Sequence, residues 1–198
     1  MPTIIIWKII FLLIYLGSSQ VWSQGISFKG RELFHLLAQY QGEELIQNPQ
    51  QKVVHYFTAT EQAQHRVYIQ HGRLVDAQGR ALDPQLKRFP KRSGTAIYVM
   101  DKYGRIYYSF DHSYGRIHHS SLVAGQAVAS AGEMLIYEGI IYSISNKSGH
   151  YHPSAVALKR VIEQLKKQQV PIHGIDLFII NKKGKSEAIT WQGLQKKT

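Results

Sequence analysis

Residues 116–153 read RIHHSSLVAGQAVASAGEMLIYEGIIYSISNKSGHYHP, and we expect the rest of the fold to be arranged around this segment. Four of the ten histidines of the chain fall within it: His118, His119, His150 and His152. Serines lie beside them, and Ala-Gly pairs occur at 124–125 and 131–132. Glycine lets another backbone or a ligand approach closely and allows positive φ. The segment therefore indicates a polar site.

The patterns on either side of this segment predict an α+β fold. Apolar runs such as residues 95–100 are separated by short turns that carry glycine, which favours antiparallel neighbours. Residues 153–169 repeat their apolar positions with helical spacing, and Pro153 suits a first helical turn. We expect a twisted antiparallel sheet of about eight strands, open or curled, packed on this long helix in the C-terminal half. An N-terminal helix is predicted over residues 30–47, and residues 116–123 are treated as a strand.

The first residues predict a signal peptide over residues 1–23. Residues 1–16 are almost wholly apolar, with Lys8 as their single charge, and a cleavage site is predicted after Ser23. The apolar run is short for a bilayer span, which needs about 20 residues. Residues 24–198 are then a single exported domain, periplasmic or extracellular, with no membrane span after cleavage. The chain has no cysteine, so neither a disulfide nor a lipid-modified cysteine is expected.

The net charge of +11 favours anionic partners. The basic residues are scattered, and none forms a long run interleaved with aromatic residues, which is typical of proteins that bind single-stranded nucleic acid. Nucleic acid is therefore not an expected partner. The expected partner is a polar or anionic small molecule or a cell-envelope component.

Four residues are candidates for catalysis: His119, His150, Ser120 and Ser121. Imidazole and hydroxyl groups are the components of acid–base or nucleophilic chemistry. The sequence lacks a GxSxG motif, so these residue types do not select one reaction. We expect the imidazoles of His119 and His150 to face each other beside the start of the long helix.

Four further residues are predicted to bind a ligand: Ser148, Gly149, Tyr151 and Gly125. The first three come directly before the long helix, whose N-terminus carries partial positive charge and unpaired N–H groups. No metal site is predicted, because adjacent histidines on a strand point to opposite faces and no HExxH spacing occurs. GxGxxG and P-loop motifs are absent, so the sequence does not indicate a classical nucleotide-binding fold. The cofactor is unknown.

The spaced pattern HSS…AG…AG…SGHY, carried by residues 119–121, 124–125, 131–132 and 148–151 together with Gly139 and Pro153, supports a comparison with known proteins. It resembles a segment of the plant IQ-motif-containing calmodulin-binding proteins and of bacterial secreted or toxin-like domains. The resemblance covers roughly residues 95–170 and implies a shared pocket without supplying a reaction. The calmodulin-binding IQ helix lies outside this segment in the plant proteins. No IQ motif is found in this chain, so no calmodulin binding is expected from the sequence.

Three functions are compatible with the sequence. The first is an exported effector-like enzyme acting on a polar or anionic substrate, with His119 or His150 as acid or base and with Ser120 and Ser121 positioning the substrate. The second is a binding module without turnover, for an anionic ligand or a cell-envelope partner. The third is a structural domain whose histidines and serines form a buried network.

Overall fold

The computed structural model describes residues 26–49, 51–84, 94–181 and 183–197. A two-stranded hairpin comes first, with β1 (Tyr68–Gln70) paired to β2 (Arg73–Val75). The remaining six strands form one sheet in the order β4-β3-β5-β6-β7-β8. Their bounds are β3 Thr95–Met100, β4 Ile106–Ser109, β5 Ser130–Tyr137, β6 Ile140–Ser145, β7 Asp176–Ile180 and β8 Ser186–Ile189.

The three α-helices of the described residues are α1 (Ala59–Gln64), α2 (Ala155–Lys167) and α3 (Trp191–Gln195). Neighbouring strands are antiparallel except for β6 and β7, which are parallel because α2 connects them. The described helices include none that is long and apolar enough to cross a membrane. The expected α+β class, with a mostly antiparallel sheet packed on a long helix, is confirmed.

Both faces of the sheet centre are covered. One face packs against the apolar side of α2, where Leu158, Val161 and Ile162 are fully buried. The other face carries a second core, in which Val99 and Ala131 contact side chains from residues 34–57 and 117–151. Strand β3 is therefore buried along almost its whole length, which explains its unbroken apolar sequence. The candidate site lies against this second core.

The helix predicted over residues 30–47 does not form. This region contains only a 3₁₀ turn at Ala38–Tyr40 and further turns, and Gly42 has a φ of +80°. Phe34 instead bridges to Val128 as an isolated β-pair. The helix found in this half of the chain is α1, which begins with a capping box between Thr58 and Glu61. Long-range contacts have replaced the expected helix.

Residues 116–123 are not a strand either. They form a turn followed by a 3₁₀ helix at Ser120–Val123, which ends in a left-handed Ala124. This segment hydrogen-bonds to the irregular residues 53–57: the His55 N–H donates to the Arg116 carbonyl at 2.8 Å, and the Phe57 N–H donates to the Ser121 carbonyl at 2.9 Å. The alternation of side chains assumed for a strand therefore does not apply to the histidines and serines of this segment.

Candidate functional site

The centre of the candidate site is the carboxylate of Glu43, in an irregular segment that we call the strap (residues 38–49). Its Oε1 atom accepts hydrogen bonds from the Ser120 hydroxyl and, at 3.4 Å, from the Tyr56 hydroxyl. Its Oε2 atom accepts a hydrogen bond of 3.1 Å from Nε2–H of His150. The side chains of Glu43 and His150 are only 12% and 10% exposed. We call Glu43, Tyr56, Ser120 and His150 the Glu43 cluster.

Two rings stack on the imidazole of His150. The ring centroid of Tyr40 lies 4.1 Å away with an interplanar angle of 25°, and that of His118 lies 4.5 Å away at 26°. The Nε2 atom of His118 accepts the backbone N–H of Gly115 at 3.2 Å, so the neutral His118 ring carries its proton on Nδ1. The stack fixes the plane of the His150 ring, and the Glu43 carboxylate fixes its Nε2 atom.

Hydrogen bonds to two backbone carbonyls hold both ends of the strap. Directly before its first residue, the N–H of Leu37 donates to the carbonyl of His150 at 3.0 Å. At its end, the Asn48 Nδ2 donates to the carbonyl of Gly115 at 2.8 Å. The strap is therefore tied to the loop before α2 and to the turn before His118, with Glu43 between these two points.

The charges of the cluster follow from burial and hydrogen bonding. Burial raises the pKa of Glu43, but the hydrogen bonds from His150 and Ser120 lower it by more, and the electrostatic influence of the two nearby imidazoles acts in the same direction. The pKa of Glu43 therefore lies below its usual value. Burial lowers the pKa of His118, and the neighbouring His150 adds to this effect. Burial and the nearby Glu43 and Glu44 carboxylates raise the pKa of Tyr56. At neutral pH Glu43 is ionised and Tyr56 keeps its proton.

His119 and Ser121 belong to the predicted catalytic set, but their polar atoms bond elsewhere. His119 is buried, and its Nε2–H donates to the carbonyl of Gly132 on β5 at 2.9 Å. Burial lowers the pKa of His119 to about 3, so the ring is neutral. The buried Ser121 hydroxyl oxygen accepts the backbone N–H of His118 at 3.0 Å. These two side chains fix the local turn.

The structure thus brings together two of the four candidates. Ser120 and His150 meet on the two oxygens of Glu43. The two polar segments do converge as expected from the sequence, but they touch through His118, which stacks on His150, while His119 points to Gly132. Glu43 is not among the predicted site residues, because the apolar spacing of residues 30–47 predicts a helix there and Glu43 lies 77 and 107 positions from its partners.

The four predicted ligand-binding residues do not share one cavity. Ser148 and Gly149 line a cavity of about 710 Å³ at the start of α2. Ser148 is buried, and its hydroxyl has no hydrogen-bond partner within the described ranges. The buried Tyr151 instead donates its hydroxyl to the Gln126 carbonyl at 2.8 Å. Gly125, with a φ of +72°, lies where a Cβ would approach the Tyr56 hydroxyl to 2.9 Å.

The order of the groups determines what the Glu43 cluster can do. In a Ser–His–acid triad, the imidazole lies between the hydroxyl and the carboxylate and removes the hydroxyl proton. Here the carboxylate lies in the middle, and the Ser120 hydroxyl donates to Glu43 while His150 bonds to the other oxygen. No imidazole is therefore available to the Ser120 hydroxyl. The residues that the structure describes also include no group of three or more side chains able to hold a metal ion.

Comparison with known proteins gives a family match. The model of the IQ motif-containing protein middle domain matches residues 61–158, just under half of the chain. The IQ domain-containing protein IQM3 of Arabidopsis thaliana is 28% identical over 128 residues, which cover 64% of this chain and 27% of that protein. The IQ domain-containing protein IQM1 of the same plant is 26% identical over 132 residues, which cover 67% of this chain and 26% of that protein. The matched part is thus about a quarter of the length of these relatives. No solved structure matches.

The comparisons confirm the resemblance to the plant proteins and give no support for the bacterial secreted or toxin-like half of that resemblance. The matched range contains His118, Ser120 and His150 but not the strap. Two members of the Glu43 cluster, Glu43 and Tyr56, therefore lie outside the part that the family model covers.

The same matches correct the predicted function. The effector-like enzyme for a polar or anionic substrate is wrong, and so is the description as a toxin-like effector, because the relatives are plant IQ domain-containing proteins. The two alternatives, a module for an anionic ligand or envelope partner and a structural domain built on a histidine and serine network, are not retained. No comparison supports a signal peptide. The boundary after Ser23 and the exported location stay predictions, because residues 1–25 lie outside the described residues.

The expected partners are corrected as well. The absence of calmodulin binding was expected because no IQ motif was found, but the relatives are IQ domain-containing proteins, the class for which the resemblance implies calmodulin binding. The similarity to these relatives therefore contradicts the expectation of no calmodulin binding, and the small-molecule or envelope partner is withdrawn with it.

Proposed function

We propose that this chain is a non-enzymatic domain of the IQM middle-domain type, which binds an acidic protein partner of the calmodulin type. The match over residues 61–158 and the similarity to IQ domain-containing proteins support the class. The relatives are about four times as long as the matched part, so the proposal concerns the domain and not the activity of a whole relative.

The main support for a domain without enzymatic activity is the hydrogen bond from the Ser120 hydroxyl to Glu43. A serine becomes a nucleophile when an adjacent base removes its proton, and that base is in turn oriented by a third group. The lowered pKa of Glu43 makes this carboxylate a weak base. His150 donates its Nε2–H to the same carboxylate. Both groups therefore stabilise the ionised Glu43, and neither activates Ser120.

Charge supports the acidic partner. The chain carries a net charge of +11, and complementary charge speeds encounter and selects the partner. The basic amphipathic helix α2 cannot lay its apolar side on a partner, because Leu158, Val161 and Ile162 are buried against the sheet. In this proposal the partner therefore does not bind the apolar side of α2.

Isothermal titration of the purified chain with calmodulin, in calcium and in chelator, tests the partner. We expect saturable binding with a Kd tighter than about 10 µM in at least one condition. Binding should weaken as salt rises, because the charges are exposed. Polyglutamate of similar charge is the control for nonspecific attraction. No binding of calmodulin in either condition, or equal binding of polyglutamate, contradicts the proposed partner.

A serine-directed fluorophosphonate probe tests the non-enzymatic part separately. We expect no labelling of Ser120 in the wild-type chain, because its hydroxyl proton is held by a weakly basic carboxylate. Ser120→Ala shows whether any label found is on that residue. Labelling that is present in the wild type and lost in Ser120→Ala contradicts the proposal, whatever the result with calmodulin.

A further inference from the structure

The cavity of about 710 Å³ at the start of α2, which we call the α2 cavity, is separate from the Glu43 cluster, because no residue of that cluster lines it. Its walls come from the loop before α2, the first residue of that helix, the end of β7 and the turn that leads into β8. The lining combines apolar and polar side chains, among them Pro153, Ile179 and Ile180 with Ser148, Ser154 and Asn181. Concave pockets of this size with apolar walls and a few polar groups are typical of binding sites.

The Ser148 hydroxyl gives the first reason to expect a bound group in the α2 cavity. The residue is 6% exposed, and its hydroxyl makes no hydrogen bond to any residue that the structure describes. Buried hydroxyl groups normally have a partner, because leaving one unpaired is unfavourable. The N–H of His152 donates to the Ser148 carbonyl at 3.0 Å, which fixes the backbone that carries this hydroxyl. The hydroxyl is therefore held in place for a polar group that enters the cavity.

The N-terminus of α2 gives a second, independent reason. The helix has 13 residues, and the first N–H groups of an α-helix have no partner within the helix. The Ser154 side chain at the N-cap makes no capping hydrogen bond, and the first turn contains no acidic residue. The partial positive charge of this helix end is therefore not balanced from within α2. Ser154 and Ala155 line the α2 cavity, so these N–H donors lie beside the same space as Ser148.

The charged side chains around the α2 cavity are compatible with an anionic group. Among the described residues, its lining contains no aspartate or glutamate. Glu133 is paired with Lys147, whose ammonium lies 3.2 Å from the carboxylate. Glu187 is the second residue of β8, so its side chain points to the opposite face from the first residue, which lines the cavity. Lys183 and Lys185 are exposed in the turn before β8. The donors of Ser148 and α2 thus meet no carboxylate of the lining.

We propose that the α2 cavity receives an acidic side chain of the protein partner, whose carboxylate accepts hydrogen bonds from the Ser148 hydroxyl and from the first N–H groups of α2. This inference rests on the proposed function and names the site at which the acidic partner binds. Hydrogen bonds to an ionised group are stronger than neutral ones. The apolar walls at Pro153 and Ile180 bury the methylene groups of the acidic side chain and an apolar neighbour, whereas an inorganic anion has no apolar part to bury.

Titrations with calmodulin test this site, in whichever of calcium or chelator gives tighter binding to the wild type. Ser148→Ala removes the hydroxyl. Ser154→Asp places a carboxylate of the chain itself at the N-cap of α2, where it accepts hydrogen bonds from the same N–H groups. We expect each variant to bind calmodulin at least about tenfold more weakly than the wild type. Ser27→Ala, at an exposed position outside the lining, is the control and should stay within about twofold of wild type.

Thermal melts distinguish this role from a structural one. Ser148→Ala should melt at or above the wild-type temperature, because its hydroxyl has no partner among the described residues to lose. Ser154→Asp should melt above the wild type, because the new side chain caps α2 and balances the charge of its N-terminus. A lower melting temperature for Ser148→Ala would mean that its hydroxyl is already paired within the domain, and the inference would be wrong.

The remaining outcomes separate the site from the proposed function. If calmodulin binds the wild type and both variants equally well, the site is wrong and the proposed function stands. If calmodulin does not bind the wild-type chain, both are wrong. Sodium acetate, followed through the amide NMR signal of Gly149 at constant ionic strength, tests a free carboxylate as the occupant. Saturable acetate binding tighter than about 1 mM that is lost in Ser148→Ala would show that the cavity takes free carboxylates, and the assignment to a protein partner would be wrong.

Discussion

Glu43 accepts a hydrogen bond from the Ser120 hydroxyl, 77 positions further along the chain. This contact joins the strap to the 3₁₀ helix at Ser120–Val123, and the second oxygen of Glu43 joins both to His150 in the loop before α2. Three segments without regular strand pairing thus share one buried carboxylate. The arrangement of this side of the molecule depends on that group.

Replacement of Glu43 by alanine should therefore destabilise the fold. The Ser120 hydroxyl and the His150 Nε2–H would lose their acceptor in a mostly buried site, which we expect to lower the free energy of unfolding by about 2–4 kcal/mol. Glu43→Gln keeps one oxygen acceptor and should cost about half as much. Urea denaturation measures both. Glu187→Gln, at an exposed position on β8, is the control and should change stability by less than about 0.5 kcal/mol. Equal effects at positions 43 and 187 would show that the cluster does not hold the strap.

Stability should fall as the solution is acidified. The folded pKa of His119, about 3, lies below the ordinary imidazole value of 6.5, so between these values the unfolded chain binds more protons than the folded chain. Stability is then complete above about pH 6.5 and is lost as pH falls towards 3, with a slope of up to about 1.4 kcal/mol per pH unit from His119. The lowered pKa values of His118 and Glu43 act in the same direction, that of Glu43 only below about pH 4.5.

Urea midpoints measured from pH 7 to pH 4 test this dependence. His119→Gln does not titrate, and its amide N–H can still donate to the Gly132 carbonyl, so its pH slope should be flatter than that of the wild type. His173→Gln, at an exposed position, should keep the wild-type slope. A wild-type midpoint that stays constant from pH 6.5 to pH 4 would mean that His119 is not buried as described.

The parts of the fold that follow from local sequence were predicted well. The β1–β2 and β3–β4 hairpins have alternating or apolar runs joined by glycine turns, and α2 has a long apolar stripe, so neighbouring residues determine each of them. The parallel pairing of β6 with β7 was not predicted, because it depends on the connection through α2. The turn and 3₁₀ helix at residues 116–123 were not predicted either, because residues 53–57 supply their hydrogen bonds.

The candidate site was also predicted only in part, because one of its residues comes from a distant segment. Ser120 and His150 were chosen correctly as neighbours, since their residue types and flanking glycines mark a polar segment. Their common partner Glu43 was missed, because the apolar spacing of residues 30–47 favours a helix. In the structure those apolar residues separate: Leu36 enters the second core while Leu45 and Ile46 face solvent. Only the packing of distant segments decides between these arrangements.

Gly132 should not tolerate a side chain. A Cβ at this buried position would collide with the Ser145 carbonyl on β6 and approach the Tyr98 ring to 2.9 Å, so β5 would have to move away from β6. We expect Gly132→Ala to lower the free energy of unfolding by about 2–4 kcal/mol. Gly149→Ala is the matched control, because a Cβ there meets nothing within 4 Å. Thermal melts that do not separate the two variants would contradict this close approach of β5 and β6.

Asn146 should contribute more to stability than any exposed asparagine, because its buried amide connects three segments. Its Nδ2 donates to the carbonyls of Pro153 at 2.7 Å and Ile180 at 3.2 Å, and its Oδ1 accepts the N–H of Ile180 at 2.7 Å. The amide thus fixes the loop between β6 and α2 against the end of β7. We expect Asn146→Ala to lower the free energy of unfolding by about 2–4 kcal/mol, because buried backbone groups lose their partners.

Asn146→Asp distinguishes lost hydrogen bonds from lost packing. Its shape is nearly unchanged, but an ionised carboxylate cannot donate to the carbonyls of Pro153 and Ile180, so it should be as destabilising as Asn146→Ala. Asn181→Ala is the control, because the Asn181 side chain accepts two backbone hydrogen bonds in an exposed turn and its loss should cost about 1 kcal/mol or less. If Asn146→Asp keeps the wild-type urea midpoint, the two donated hydrogen bonds do not hold this loop. The free energy that stabilises the loop must then come from the packing of Pro153 against its neighbours.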